Sequence, residues 1–239
     1  MEKYNLMGAQ CLCVENVQQI KNHISKLIEQ KKGGYSVAIN AEKIMMYNRN
    51  SEMKRTIDEA ILPTPDGAGA VIAMKWLHGK KSIKLDLPRT IFEVANEKSF
   101  KLFVFGSKED VNRSAVDILK EKYPGIIITG RRNGYFDDEK EVVDYIKNSE
   151  PQIVVTALGS PKQELMFRKM GAVMPQTLFI GCGGALDALT GTVKRAPAFF
   201  INNNLEWFYR LIQSPSRIKR QWVLPLFFIK LLYVSIFKR

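Results

Sequence analysis

Four loops of the sequence gather residue types able to do chemistry. In Val37-Ala38-Ile39-Asn40-Ala41-Glu42 an apolar run stops at an asparagine and a helical pattern follows, so Asn40 reads as a helix cap or as a polar group held at a strand end. In Pro63-Thr64-Pro65-Asp66-Gly67-Ala68-Gly69, a rigid loop opening into a helical stretch from Ala70 to Leu77, prolines fix the approach to one carboxylate and glycines let a ligand come close. Asp66 is suited equally to capping that helix and to being a carboxylate held in one place. Ala157-Leu158-Gly159-Ser160-Pro161-Lys162-Gln163-Glu164 sets polar residues at the mouth of a helix, where outward N–H groups and the helix dipole favour phosphate. Gly181-Cys182-Gly183-Gly184-Ala185-Leu186-Asp187 is a glycine cluster with a carboxylate on the helix that follows.

Several chemistries are excluded. The glycine cluster is not G-x-G-x-x-G with an acid at the dinucleotide spacing, and no G-x-x-x-x-G-K-[ST], G-x-S-x-G or H-E-x-x-H is present. No Asp-x-Asp pair follows a strand to hold a metal on a diphosphate, and Asp137-Asp138-Glu139 reads as an acidic first helical turn. Phosphate chemistry is therefore expected to use amides, Arg and Lys, with no metal or other cofactor. Cys11, Cys13 and Cys182, with His23 and His78, are too few for a disulfide framework or a four-ligand zinc site, and a reducing cytoplasm fits them. The amino-terminal stretch has no basic segment followed by an apolar core, so no secretory signal is expected.

The elements that must position these loops alternate. Apolar runs at Tyr35 to Ile39, Leu102 to Phe105, Ile126 to Thr129, Ile153 to Leu158 and Leu178 to Ile180 predict strands. Three-and-four spacing predicts helices over Val14 to Gln30, Lys108 to Lys122, Asp138 to Lys147 and Gln163 to Met170. That order implies an α/β fold, a Rossmann-like parallel sheet flanked by helices, with ligands outside the carboxyl ends of the strands.

At 239 residues, 46% hydrophobic and 25% charged, the chain has the composition of a globular protein, and its net charge of +12 is unevenly placed. From Lys194 onward there are nine basic residues against Glu206 alone, leaving 27 basic and 23 acidic groups before it. Ten of the 24 aromatic residues lie between Phe199 and Phe237. The division expected is an α/β catalytic domain over 1–196 and a basic, aromatic helical appendage over 197–239. Within the appendage, Phe199 to Leu211 is expected to pack on the domain. Beyond Ser214, Arg217, Lys219 and Arg220 followed by Trp222, Leu224, Phe227, Phe228, Leu231 and Leu232 suit an anionic membrane surface. Trp222 to Phe237, broken by Pro225 and Lys230, is too short to cross a bilayer, and its aliphatic runs argue against nucleic acid.

Taken in order, Asn40-Ala41-Glu42, Pro65-Asp66-Gly67, Gly134-Tyr135-Phe136, Gly159-x-Pro161-Lys162-Gln163-Glu164, Gly183-x-x-x-Asp187 and Lys194-Arg195-Ala196-Pro197, then Leu205 to Leu211, the chain resembles the WecG/TagA/CpsF glycosyltransferases (family 26) over nearly its whole length. The resemblance implies a metal-independent, inverting transfer from a UDP-sugar to an undecaprenyl-diphosphate-linked saccharide at the cytoplasmic face of the membrane, with the protein peripheral and a homo-oligomer expected. It implies Asp66 as general base, Asn40, Arg89, Gly159, Lys162, Gln163, Gly183 and Asp187 as donor-binding residues, and Arg210, Arg217 and Arg220 as diphosphate, acceptor or membrane contacts. Two positions depart from the family pattern. Ala38 stands where many members have Thr, and Arg89-Thr90-Ile91-Phe92-Glu93-Val94 keeps only the Arg of Arg-Val-x-Gly-x-Asp, which opens the donor to a hexose other than N-acetylmannosamine. A non-catalytic, membrane-associated nucleotide-binding protein on the same domain is the alternative.

Overall fold

Short apolar runs separated by amphipathic segments can bury their backbone polar groups only by pairing side by side under helices, and the chain does so. The computed structural model describes residues 1–193, 197, 200, 209 and 222–237. The five predicted strands form β3 (Gly34–Ile39), β5 (Lys101–Gly106), β6 (Ile127–Arg132), β7 (Ile153–Ala157) and β8 (Leu178–Gly181). With β4 (Leu62–Pro65) they make a six-stranded sheet in the order β4-β3-β8-β7-β5-β6, every pair parallel. A separate antiparallel hairpin pairs β1 (Lys3–Leu6) with β2 (Ala9–Leu12).

The predicted helices form α1 (Val17–Glu29), α6 (Glu109–Lys122), α7 (Glu139–Asn148) and α8 (Lys162–Val173). They are joined by α2 (Ala41–Tyr47), α3 (Ser51–Asp58), α4 (Gly67–His78), α5 (Leu87–Lys98), α9 (Ala185–Leu189) and α10 (Val223–Phe237). Side-chain caps set many of the starts: Asn16, Asn50, Asp86 and Asp138 each accept backbone N–H groups of the first turn.

Strand alternation divides the core between the two faces of the sheet. Val37, Ile39, Phe103, Phe105, Val154 and Phe179 face one way, packing with α2, α3, α4, α7, α8 and α10. Leu102, Val104, Ile153, Val155, Leu178 and Ile180 face the other way, toward α1, α5, α6 and α9.

One expectation is corrected. Residues 62–65 are not part of a loop but form a strand, and α4 begins at Gly67 rather than Ala70. Proline has no N–H for an interior ladder, yet it is tolerated on an edge strand. Pro63 and Pro65 alternate with Thr64 and Asp66 at the sheet edge, and the Asp66 N–H donates to Ile39 O at 2.8 Å.

Apart from residues 197, 200, 209 and 222, the appendage is described only in its last helix, which packs on α2 and α4 by burying Phe227 and Leu231. The remaining face of α10 exposes Leu226, Phe228, Ile229, Leu232, Tyr233, Ile236 and Phe237. Among the described residues no helix is long and apolar enough to cross a membrane. The helix expected over Phe199 to Leu211 lies outside the described residues apart from Phe200 and Tyr209.

Candidate active site

The loops after β4, β3, β8 and β7 belong to four consecutive strands, so they share one rim of the sheet. Parallel register pairs Ile39 with Pro65, which places the next residues, Asn40 and Asp66, side by side. Asn40 caps α2 as expected, its Oδ1 accepting the Lys43 N–H at 3.0 Å, and the other end of the same carboxamide donates to Asp66 Oδ2 over a long 3.5 Å. Asp66 occupies the N-cap position of α4 but makes no cap hydrogen bond with its side chain. Its carboxylate is half-buried, and it is flanked by Gly67 at φ +73°, where a Cβ would meet nothing within 4 Å. A short carboxylate at a helix start that is not used as a cap is available for other chemistry.

The β7 and β8 loops bring the second group. Gly159 and Gly183 take φ of +78° and +50° beside open space, and α8 starts three residues after Gly159 with its first-turn amides at the rim. Lys162 is exposed, with its ammonium 4.5 Å from the centre of the Phe136 ring, and it lines one end of a groove of about 310 Å³ with Glu139, Leu165, Met166, Arg168 and Lys169. Gln163 is buried against Gly181, where a Cβ would come within 2.6 Å of Gln163 Nε2. Glu164, also buried, pairs with Lys43 of α2 at 3.1 Å. A polar chain therefore runs along the rim from Asp66 through Asn40 and Lys43 to Glu164 and Gln163.

Asp187 lies half-buried on α9, its carboxylate without a hydrogen-bond or ion-pair partner among the described residues. Nearby Cys182 is buried, and desolvation pushes its thiol up to about 12, so it is inert at neutral pH. Among the described residues no hydrogen bond or ion pair joins the Arg89 side chain to this rim. Its Nε donates to Glu93 Oε1 at 3.0 Å along α5, and Glu93 also meets Lys21 of α1 at 2.8 Å. Burial alone would raise the Glu93 carboxyl, but hydrogen bonds from Lys21 and Arg89 outweigh it and hold it below the usual glutamate range. Arg210, Arg217 and Arg220 lie outside the described residues.

Several of the contacts around the rim carry no local sequence signal. Lys43 and Glu164 meet across 121 positions. Phe136, singled out only within a motif, becomes the face beneath Lys162. Helix α10 reaches the rim at Gly69, where a Cβ would sit 3.1 Å from Ala41 Cβ and in ordinary contact, 3.4 Å, with the Phe227 ring. A half-buried carboxylate beside an amide, next to a helix start lined by open glycines and a lysine, can take a proton on one side and hold a diphosphate on the other.

Compared with known proteins, residues 4–239 match the glycosyl transferase WecG/TagA/CpsF family. Among similar relatives, the N-acetylglucosaminyldiphosphoundecaprenol N-acetyl-beta-D-mannosaminyltransferase of Bacillus spizizenii is 34% identical over 201 residues, which is 83% of this chain and 78% of the relative. The protein of the same name from Bacillus subtilis is 33% identical over 201 residues, with the same shares.

Proposed function

The chain belongs to the glycosyl transferase WecG/TagA/CpsF family, and from that premise we propose that this glycosyltransferase moves a hexose or N-acetylhexosamine from a UDP-sugar to a saccharide on a polyprenyl diphosphate. We place its product in bacterial surface-polymer assembly of the teichoic-acid kind; the names of the two relatives give transfer to an undecaprenyl-diphosphate-linked sugar, which supports a lipid-carried product.

In this reading the acceptor hydroxyl attacks the anomeric carbon of the donor with inversion. The hydroxyl proton passes to an Asp66 carboxylate oxygen while the bond to the β-phosphate oxygen breaks, its electron pair leaving with UDP. Asn40 steadies Asp66 and, together with Gln163, contacts the donor sugar. The backbone N–H groups of Lys162 and Glu164 in the first turn of α8, with the Lys162 ammonium and the arginines of the appendage, meet the charge that builds on the departing diphosphate without a metal ion; the Gln163 N–H is held by Gly159 O. The carrying observation is Asp66 itself, at a helix start, uncapped, beside Asn40 and next to open space.

The reading is tested by Asp66→Asn. A well-placed general base contributes roughly 10²- to 10⁴-fold, so UDP release in the presence of a lipid-diphosphate acceptor is expected to fall by about that factor. Thermal stability is expected to hold, since no cap is lost. An Asp66→Asn enzyme as fast as wild type contradicts the assignment. For the appendage, the apolar face of α10 and the basic residues from Lys194 onward support seating at an anionic membrane surface on the side where the lipid-linked acceptor is presented.

A further inference from the structure

We propose that Lys43 and Glu164 are positioning residues of the transferase, a buried ion pair that fixes the two helix starts carrying Asn40 and Gln163 and sets which end of the Gln163 carboxamide is presented. The inference rests on the functional reading above, in which Asn40 and Gln163 serve the donor. Lys43 and Glu164 have side chains only 11% and 3% exposed, and their contact at 3.1 Å ties the first turn of α2 to the first turn of α8. Each partner is coupled to one of the donor-side residues. The Lys43 backbone N–H is the group that Asn40 caps, and Gln163 is the residue preceding Glu164.

The orientation argument follows from donors and acceptors. Glu164 Oε1 accepts from Lys43 Nζ and, over 3.5 Å, from Gln163 Nε2. Gly181 supplies the space the carboxamide occupies, since a Cβ there would come within 2.6 Å of Nε2, so the contact with Glu164 is what favours one end of the amide over the other. Among the described residues two buried acceptors then remain unpartnered, Gln163 Oε1 and Glu164 Oε2. Buried acceptors are normally satisfied, and a first turn that keeps an oxygen in hand beside a substrate rim suits a ligand that donates, such as a sugar hydroxyl. Glutamate at 164 thus makes Gln163 an acceptor, whereas a carboxamide at 164 could turn it round.

The deciding variant is Lys43→Met with Glu164→Gln. Removing one partner strands a buried charge and destabilises the fold, while replacing both with neutral groups of similar size need not. The double variant is expected to melt close to wild type, to show a KM for the UDP-sugar raised about tenfold, the equivalent of one lost hydrogen bond, and to keep its KM for the acceptor within about twofold. A double variant with wild-type melting and an unchanged donor KM overturns the proposal, leaving the pair a fold contact. If the double variant does not fold, Lys43→Arg decides: it keeps the charge with a different reach, so a raised donor KM at wild-type melting supports positioning and an unchanged one overturns it. A wild-type protein that transfers from no UDP-sugar overturns instead the functional reading beneath.

Discussion

Asn40 uses the two ends of one carboxamide for different purposes, its Oδ1 on the Lys43 N–H and its Nδ2 toward Asp66, so substitutions there separate fold from chemistry. Asn40→Asp keeps a cap acceptor of similar strength but sets a second carboxylate beside the base. Stability is expected to hold within about 0.5 kcal/mol, while transfer falls and the acid limb of the pH–rate profile moves upward. Asn40→Ala loses the cap as well, about 1 kcal/mol, which a denaturant titration reads directly. Equal activity in wild type and Asn40→Asp would contradict a base at position 66. Both residues were legible in the sequence because each directly follows a short apolar or proline-fixed run. That Asp66 leaves its cap unmade was not legible, since its carboxylate meets instead the Asn40 amide, which only the pairing of two strands brings alongside. Lys43 and Glu164 were invisible as a pair for a related reason: only the fold brings them together.

Among the elements, four of the five predicted strands were readable because they are buried and largely apolar, and the edge strand β6 was readable from its apolar start at Ile127 and Ile128, although it runs on to Arg132. β4 was hidden by its prolines, which usually argue against a strand and are admitted here only at the edge. The β1–β2 hairpin was hidden by its turn, in which Met7 and Gly8 take φ of +54° and +113°, since methionine gives no turn signal of the Asn-Gly kind. The docking of α10 depends on few contacts, chiefly the buried Phe227 and Leu231. Truncating a buried phenylalanine removes about 3–5 kcal/mol where the surroundings cannot collapse, a large share of what so small an anchor supplies. Phe227→Ala is therefore expected to release α10 while the sheet stays folded. In hydrogen exchange, amides of residues 223–237 lose protection and those of 153–157 keep it. Unchanged protection over 223–237 would show that the helix is held by something other than Phe227.

At the scale of the whole molecule, the charge of +12 resolves into a nearly balanced α/β body and a cationic, aromatic carboxyl-terminal stretch. That stretch ends in a helix of 15 residues, about 22 Å long, against roughly 30 Å of bilayer hydrocarbon. Its packing over α2 and α4 places it near the helix starts that follow Asn40 and Asp66. Replacing Leu226, Ile229 and Ile236, all exposed on α10, by serine is expected to reduce cosedimentation with anionic vesicles several-fold and leave melting unchanged. Raised salt is expected to weaken binding of the unmodified chain as well. Binding that ignores both changes would assign the exposed face another role.

The central claim is that Asp66 drives sugar transfer to a lipid-diphosphate acceptor, and it is tested most directly by following radiolabelled sugar from a panel of UDP-sugars into N-acetylglucosaminyl-diphosphoundecaprenol. Wild type is expected to form the lipid-linked disaccharide with one donor and release UDP in equal amount, and Asp66→Asn to form it at least about 10²-fold more slowly. Absence of lipid-linked product from wild type with every donor, or equal product from Asp66→Asn, would contradict the account.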